Sequence, residues 1–176
     1  GGLSAVHGKG TAFLERLADL IPMDFWGYGV QTLGPTSPIR LRHRDEAWGI
    51  DMFSRLSESF ITVNRHIDVA ENYANNMRLF EATGCGALLV TDYKDNLNEL
   101  FEIGKEVVVY RSPEECAALI KYYLAHPDEA REIARAGQAR TLHEHTYVAR
   151  MEQTAEILSR HLRHRSEEGA LPVPDL

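Results

Sequence analysis

No apolar run in this chain approaches ~18 residues, so no membrane-spanning helix is expected. The opening also lacks the cationic-then-apolar pattern of a secretory signal. Cysteine is scarce: Cys85 and Cys116 are the only two. That excludes a disulfide framework, and both lie in apolar runs where a small buried residue fits. Basic charge is in deficit, with 19 Lys and Arg against 26 Asp and Glu for a net charge of -7. A general nucleic-acid binder needs a basic stripe and is not expected, whereas a nucleotide ligand needs only a few local cations. Neither G-x-G-x-x-G nor a P-loop is present, and no internal repeat or low-complexity segment appears. A cytoplasmic protein is the expectation.

What is present is one domain's worth of chain, 176 residues of which 44% are hydrophobic, enough for a core. Phe13, Leu14, Leu17, Leu20 and Ile21 recur at helical spacing over 11–21, with Pro22 as the stop. Residues 23–28 read as a short strand and 39–43 as another, with Arg40, Arg42 and Arg44 alternating along one face of a charged edge. Asp45 is placed to cap a helix carrying Trp48, Met52, Phe53 and Leu56, with Trp48 in the core. Residues 60–64 read as a central strand, and 87–90 as a buried one. A short helix over 96–101 and a strand over 106–110 follow. Ser112, Pro113 and Glu115 make a helix start, with Ser as cap, Pro in the first turn and Glu reaching back. That helix runs to Ala125, burying Cys116, Leu119, Ile120, Tyr123 and Leu124. Pro127 opens another helix, and 147–164 forms the last. The alternation implies βαβ units, an α/β fold with a mostly parallel, doubly wound sheet and helices at the C-terminal end. Ligands of such sheets bind beyond the carboxyl ends of the strands.

Three constellations fall at that edge. Gly1 to Gly10 is a glycine-rich connection into a helix, and Lys9 with the free amides there, including that of Gly10, suits an anion. A plain connection with a solvated lysine is the alternative. The segment 64–78 is long and amide-rich; Asn72, Asn75, Asn76 and Arg78 offer donors to phosphate, while Glu81 offers acceptors to a ribose diol. Arg78 and Glu81 are three apart and share a helical face. His66, just past a strand end, is placed to bind a sugar or diphosphate or to sit at the core edge. His143 and His145 are two apart and do not share a helix face, so no metal is expected there. His161 and His164 read as solvated.

These residues carry a resemblance. The segment Asn76-x-Arg78-x-x-Glu81, the surroundings Phe80-Glu81-Ala82 and Gly84-Cys85-Gly86, the glycine loop with Lys9-Gly10, and the later Asn98-Glu99-Leu100-Phe101 and His145-Thr146-Tyr147 segments resemble group 1 glycosyltransferases. The Asn-x-Arg-x-x-Glu pattern is similar to the CgeB-type spore maturation proteins. The resemblance implies a Rossmann-like C-terminal half of a GT-B glycosyltransferase over residues 1–165, with 166–176 as a flexible tail. It also implies an acceptor-binding N-terminal domain elsewhere in the protein, since the chain opens at what should be a strand's end. The implied function is binding a nucleotide-diphosphate sugar for metal-independent hexosyl transfer, without a cofactor and inactive as an isolated domain. Lys9, Gly10, Asn76 and Arg78 would bind the donor diphosphate, and His66, Glu71 and Glu81 the ribose or sugar; no catalytic residue is implied. The family pairs two glutamates eight apart, but the position eight before Glu81 is Tyr73, leaving Glu71 as the substitute. The family's arginine beside the loop glycine is also absent. A non-catalytic binding module and a nucleotide-sugar epimerase of similar fold remain the alternatives.

Overall fold

The computed structural model describes Gly2 and residues 8–167. The helix expected after the opening loop is α1 (Gly8–Leu20). Two short strands, β1 (Phe25–Trp26) and β2 (His43–Asp45), form a parallel pair. Helix α2 (Pro38–Leu41) lies between them in sequence. Helix α3 (Gly49–Glu58) leads into β3 (Ile61–Asn64), and α4 (Arg78–Gly84) into β4 (Leu88–Asp92). After α5 (Leu97–Leu100) come β5 (Val108–Tyr110), α6 (Pro113–Ala125), α7 (Pro127–Glu144) and α8 (Tyr147–Glu167). Strands β3, β4 and β5 make a second parallel sheet with β4 in the middle.

The sheet is covered on both faces, as a doubly wound fold requires. Alternation along β4 sends Leu88 and Val90 to one core with Leu17, Val108, Cys116 and Ile133, and Leu89 to the other with Leu56, Leu79, Leu97 and Phe101. Leu88, Leu89 and Val90 are fully buried, a contribution of about 1.5–3 kcal/mol for each such side chain. Helix α7 packs its Gly137 so tightly on the β5 approach that a Cβ there would lie 2.3 Å from the Glu106 carbonyl oxygen. Across the same contact the Thr83 and Thr141 hydroxyls meet at 2.6 Å.

Several expectations are corrected. The 39–43 strand is instead helix α2, because Pro38 presets the first helical φ; the strand starts only at His43. The three arginines therefore share no strand face: Arg42 caps the end of α1 by donating to the Ile21 carbonyl at 2.9 Å, and Arg44 pairs with Asp24 at 2.8 Å. Asp45 ends β2 rather than capping α3, which starts at Gly49, and Trp48 is exposed, stacked on Tyr28 and donating to Glu46. Strand β3 lies at an edge of its described sheet, not at its centre. Leu124 is exposed rather than buried, because it falls on the outer side of α6. Of the expected tail, 166–167 continue α8, and 168–176 lie outside the described residues, as do Gly1 and 3–7 of the opening loop.

Candidate functional site

The carboxyl ends of β3 and β4 are joined by polar bonds. Asn64, the last residue of β3, is buried; its amide donates to the Thr91 hydroxyl at 2.9 Å, and its carbonyl accepts from the Tyr110 hydroxyl at 2.7 Å. The Asn76 amide donates to Asn64 Oδ1 at 3.0 Å. Two residues past the strand, His66 is 2% exposed and its Nδ1 lies 2.7 Å from Asp92 Oδ1, which also accepts from the His66 backbone at 3.0 Å. Burial works to raise the Asp92 carboxyl, but the hydrogen bonds and charge of His66, aided by Lys94, outweigh it and hold the group below its ordinary value.

Two buried polar atoms here have no protein partner, His66 Nε2 and Asn76 Oδ1. Such atoms cost about 1–3 kcal/mol each unless a water or ligand satisfies them. Both residues line a cleft of about 800 Å³ that runs between β1 and β3. Asn64, Arg65, Gly10 and Arg78 line it too.

Beside it, cations gather on one carboxylate. Arg65 Nη2 lies 2.8 Å from Asp68 Oδ1, and Lys9 Nζ lies 4.0 Å from Asp68 Oδ2. The Arg65 hydrogen bond, with the charges of Arg65, Lys9 and Lys94, lowers the Asp68 carboxyl from its ordinary value despite some burial. Arg65 also reaches the first turn of α1: a Cβ on Gly10 would meet its Nη1 at 3.2 Å.

The other candidates are placed differently. Arg78 lines the cleft but pairs with Glu81 at 3.1 Å and touches the Met52 sulfur at 3.3 Å. Glu81 is engaged by that arginine and is not among the lining residues. Glu71 is exposed, at φ 46° and ψ -119°, with its carbonyl accepting from Lys94 Nζ at 2.5 Å. Positive φ is costly for a residue with a Cβ, and the lysine holds the turn there. The structure thus brings Gly10, His66, Asn76 and Arg78 to one cleft, with Lys9 at Asp68 nearby, and leaves Glu71 and Glu81 off its lining. His145 serves the core instead, with Nε2 2.8 Å from the Leu100 carbonyl and its ring against Phe80 and Phe101. Among the described residues no three His, Cys, Asp or Glu side chains group as metal ligands would, and no helix is long and apolar enough to cross a membrane.

Sequence reasoning passed over Arg65 and Asp92. A signal for Asp92 exists: in a parallel sheet the residue after a buried strand end stands beside its neighbour's strand end, and Asn64 pairs with Thr91.

A family model described as glycosyl transferase-like matches residues 9–156. Among solved structures, the chain is similar to Anabaena HepE in complex with UDP-glucose, at 20% identity and TM-score 0.69, covering 90% of this chain and 48% of that one. The HepE complex with UDP and glucose gives 19%, TM-score 0.72, and coverage of 91% and 47%. A glycosyltransferase from Rickettsia africae gives 14%, TM-score 0.69, and coverage of 92% and 46%. No curated protein matches the chain. At these identities the likeness is one of fold, the α/β fold of glycosyltransferases, and this chain spans about half the length of the structures it matches.

Proposed function

The chain belongs to the glycosyl transferase-like family, and from that premise we propose that it is the donor-binding half of a GT-B hexosyltransferase of the CgeB-like kind, taking a nucleoside diphosphate sugar. The observation that carries the reading is the gathering of Lys9 and Arg65 on Asp68 beside Gly10. A carboxylate held by two cations at the start of a helix occupies the place where a diphosphate would be gripped. Arg65, reaching Gly10 through space, stands in for the arginine that the glycine loop itself lacks. The neighbours that hold UDP and UDP-glucose support a uridine nucleotide as the first donor to try.

In the reaction so read, an acceptor hydroxyl oxygen bonds to the anomeric carbon of the sugar. The bond from that carbon to the β-phosphate oxygen breaks, and its electron pair leaves with the diphosphate. Lys9, Arg65 and Arg78 stabilise the charge that develops there, in place of a metal ion. The His66 ring and the Asn76 carbonyl oxygen bond to hydroxyls of the sugar or ribose. Glu81 contacts the ribose on exchanging its Arg78 contact for the diol, and Glu71 serves the sugar from its strained turn. The acceptor, and the group that takes its proton, belong to an N-terminal domain outside this chain.

Calorimetric titration with UDP, UDP-glucose and uridine tests the proposal. UDP and UDP-glucose should bind in the micromolar-to-millimolar range, uridine more weakly, and the isolated chain should transfer no sugar. Failure of uridine, guanosine and adenosine diphosphates alike to bind would end the donor-site reading. The module alternative would then stand.

A further inference from the structure

The joint between α7 and α8 holds a histidine that does not line the cleft. His145 follows the last residue of α7 and is half-buried, its ring 4.7 Å from that of Phe80 and 5.1 Å from that of Phe101. Its Nε2 lies 2.8 Å from the Leu100 carbonyl oxygen, and its Nδ1 lies 2.6 Å from Arg150 Nη2. These partners leave the ring proton one place. A carbonyl only accepts, so Nε2 carries the hydrogen; a guanidinium only donates, so Nδ1 is a bare lone pair. The neutral ring satisfies both partners. An imidazolium satisfies only Leu100, because its second N–H points at an N–H of Arg150.

Arg150 is also where α8 parts from the rest of the chain. Ala149 and Arg150 are half-buried, whereas every side chain from Met151 to Arg165 is exposed. Three contacts fix the first turn: the Thr146 hydroxyl accepts from the Ala149 amide at 3.3 Å, Arg150 stands 5.9 Å over the Phe80 ring, and Arg150 donates to His145. A helix of 21 residues thus takes its direction from one joint. Around the ring, α8 presents Arg150, α7 presents Arg140 and Glu144, and α4 and the end of α5 present Phe80, Phe101 and the Leu100 carbonyl. Arg140 is itself shared between Glu144 at 3.0 Å and Glu106 at 4.0 Å. Burial first, then the charges of Arg150 and Arg140, hold the imidazole below its ordinary value of 6.5, against the Leu100 carbonyl and Glu144. A ring freed from the joint is under no such restraint. The closed joint therefore loses stability as pH falls below about 6.5, until the lower value of the closed ring is reached.

We infer that His145 and Arg150 form a proton-operated latch on α8. The neutral ring binds the guanidinium and fixes the helix to the body of the domain. A proton on Nδ1 displaces the guanidinium and lets α8 pivot about Thr146. Neither residue lines the cleft, and the inference is independent of what the cleft binds.

The test is solution NMR on the whole chain without ligand, from about pH 7.5 downward to the edge of acid unfolding. At the start the His145 ring nitrogens should show Nε2 protonated and Nδ1 bare, with backbone order parameters of about 0.85 along the first half of α8. As the ring takes its second proton, order parameters over 151–165 should fall below about 0.6 while those of α7 hold. Glutamine can donate to Leu100 and accept from Arg150 without titrating, so His145→Gln should keep α8 ordered throughout. Arg150→Met should leave α8 mobile from the start and move the titration of the ring up toward 6.5. A ring that titrates while α8 stays as ordered as before overturns the inference. So does an α8 already mobile in the wild type at the start, a ring that stays neutral down to acid unfolding, or an equal loss of order in the glutamine variant. Should that variant fail to fold, the wild type and Arg150→Met carry the test by themselves.

Discussion

His66 Nδ1 and Asp92 Oδ1 lie 2.7 Å apart, tying the loop after β3 to the end of β4 with the imidazole almost wholly buried. The bond fixes which ring nitrogen faces the carboxylate and leaves Nε2 buried without a protein partner. Because Asp92 is held below its ordinary value of 3.8, its ionised form contributes stability above that pH, and the contribution is lost as pH falls through the lower folded value. Asp92→Asn should therefore melt below wild type at neutral pH, and the gap should close in acid below about pH 4. Thermal melts across that range decide it. A gap that persists unchanged in acid would mean that the carboxylate's charge is irrelevant.

The cation cluster gives a binding prediction. Arg65→Ala and Lys9→Ala should each weaken UDP by roughly tenfold or more while leaving uridine nearly unchanged, since a charge-assisted bond contributes ~1.5–3 kcal/mol. Asp68→Ala should act in the opposite sense and strengthen UDP binding, by removing the carboxylate that both cations now hold. Tighter uridine binding in that variant, without tighter UDP, would contradict the competition.

Glu81 separates two roles. If it reaches the ribose, Glu81→Gln lowers affinity for UDP more than for its 2′-deoxy analogue, because an amide offers one acceptor where a carboxylate offers two. A glutamate that only supports Arg78 across their 3.1 Å pair would show equal losses for both nucleotides. The cycle of two proteins against two ligands reads the coupling directly.

Gly137→Ala pits two effects against each other. Within a helix the exchange ordinarily stabilises by about 1 kcal/mol. Here the new Cβ would fall 2.3 Å from a backbone oxygen at Glu106, which has no rotamer by which to retreat. Overpacking of that kind costs ~1–3 kcal/mol, so the variant should melt lower. A higher Tm would show that α7 can shift outward freely.

The thiols should be inert in the folded protein. Burial pushes Cys116 up to about 12. Cys85 is raised as well, by burial and then by the charge of Glu81, with Arg78 opposing. Thiol titration at mild alkaline pH should label neither quickly, and both should react at once in denaturant.

Where local chemistry and tertiary packing agree, the sequence was readable. Ser112 does accept from the Glu115 amide at 3.1 Å, and α6 runs to Ala125 as its signals say. The apolar run through Leu88, Leu89 and Val90 could only be a covered strand. Arg40, Arg42 and Arg44 misled because their alternation mimics a strand, while Pro38, one residue, decided the helix. Arg65 escaped notice for another reason. Its role is spatial, a reach back to Gly10 across a large sequence separation, and no spacing rule encodes that approach. Asp92 likewise looked like a strand end until its partner, 26 residues earlier, was placed beside it.

Asn64 has a bearing on how a ligand would be received. Its side chain and carbonyl bond Thr91, Asn76 and Tyr110, so the ends of three strands and the loop before α4 are locked together without any visitor. The ordering entropy of that floor is settled when the chain folds, and capture of a ligand need not freeze it again. Tightening should concentrate instead in the segment around Glu71 and Asp68, which the floor does not include. A ligand arriving here would therefore meet a rigid base and a yielding rim, and its rate of escape should follow the rim.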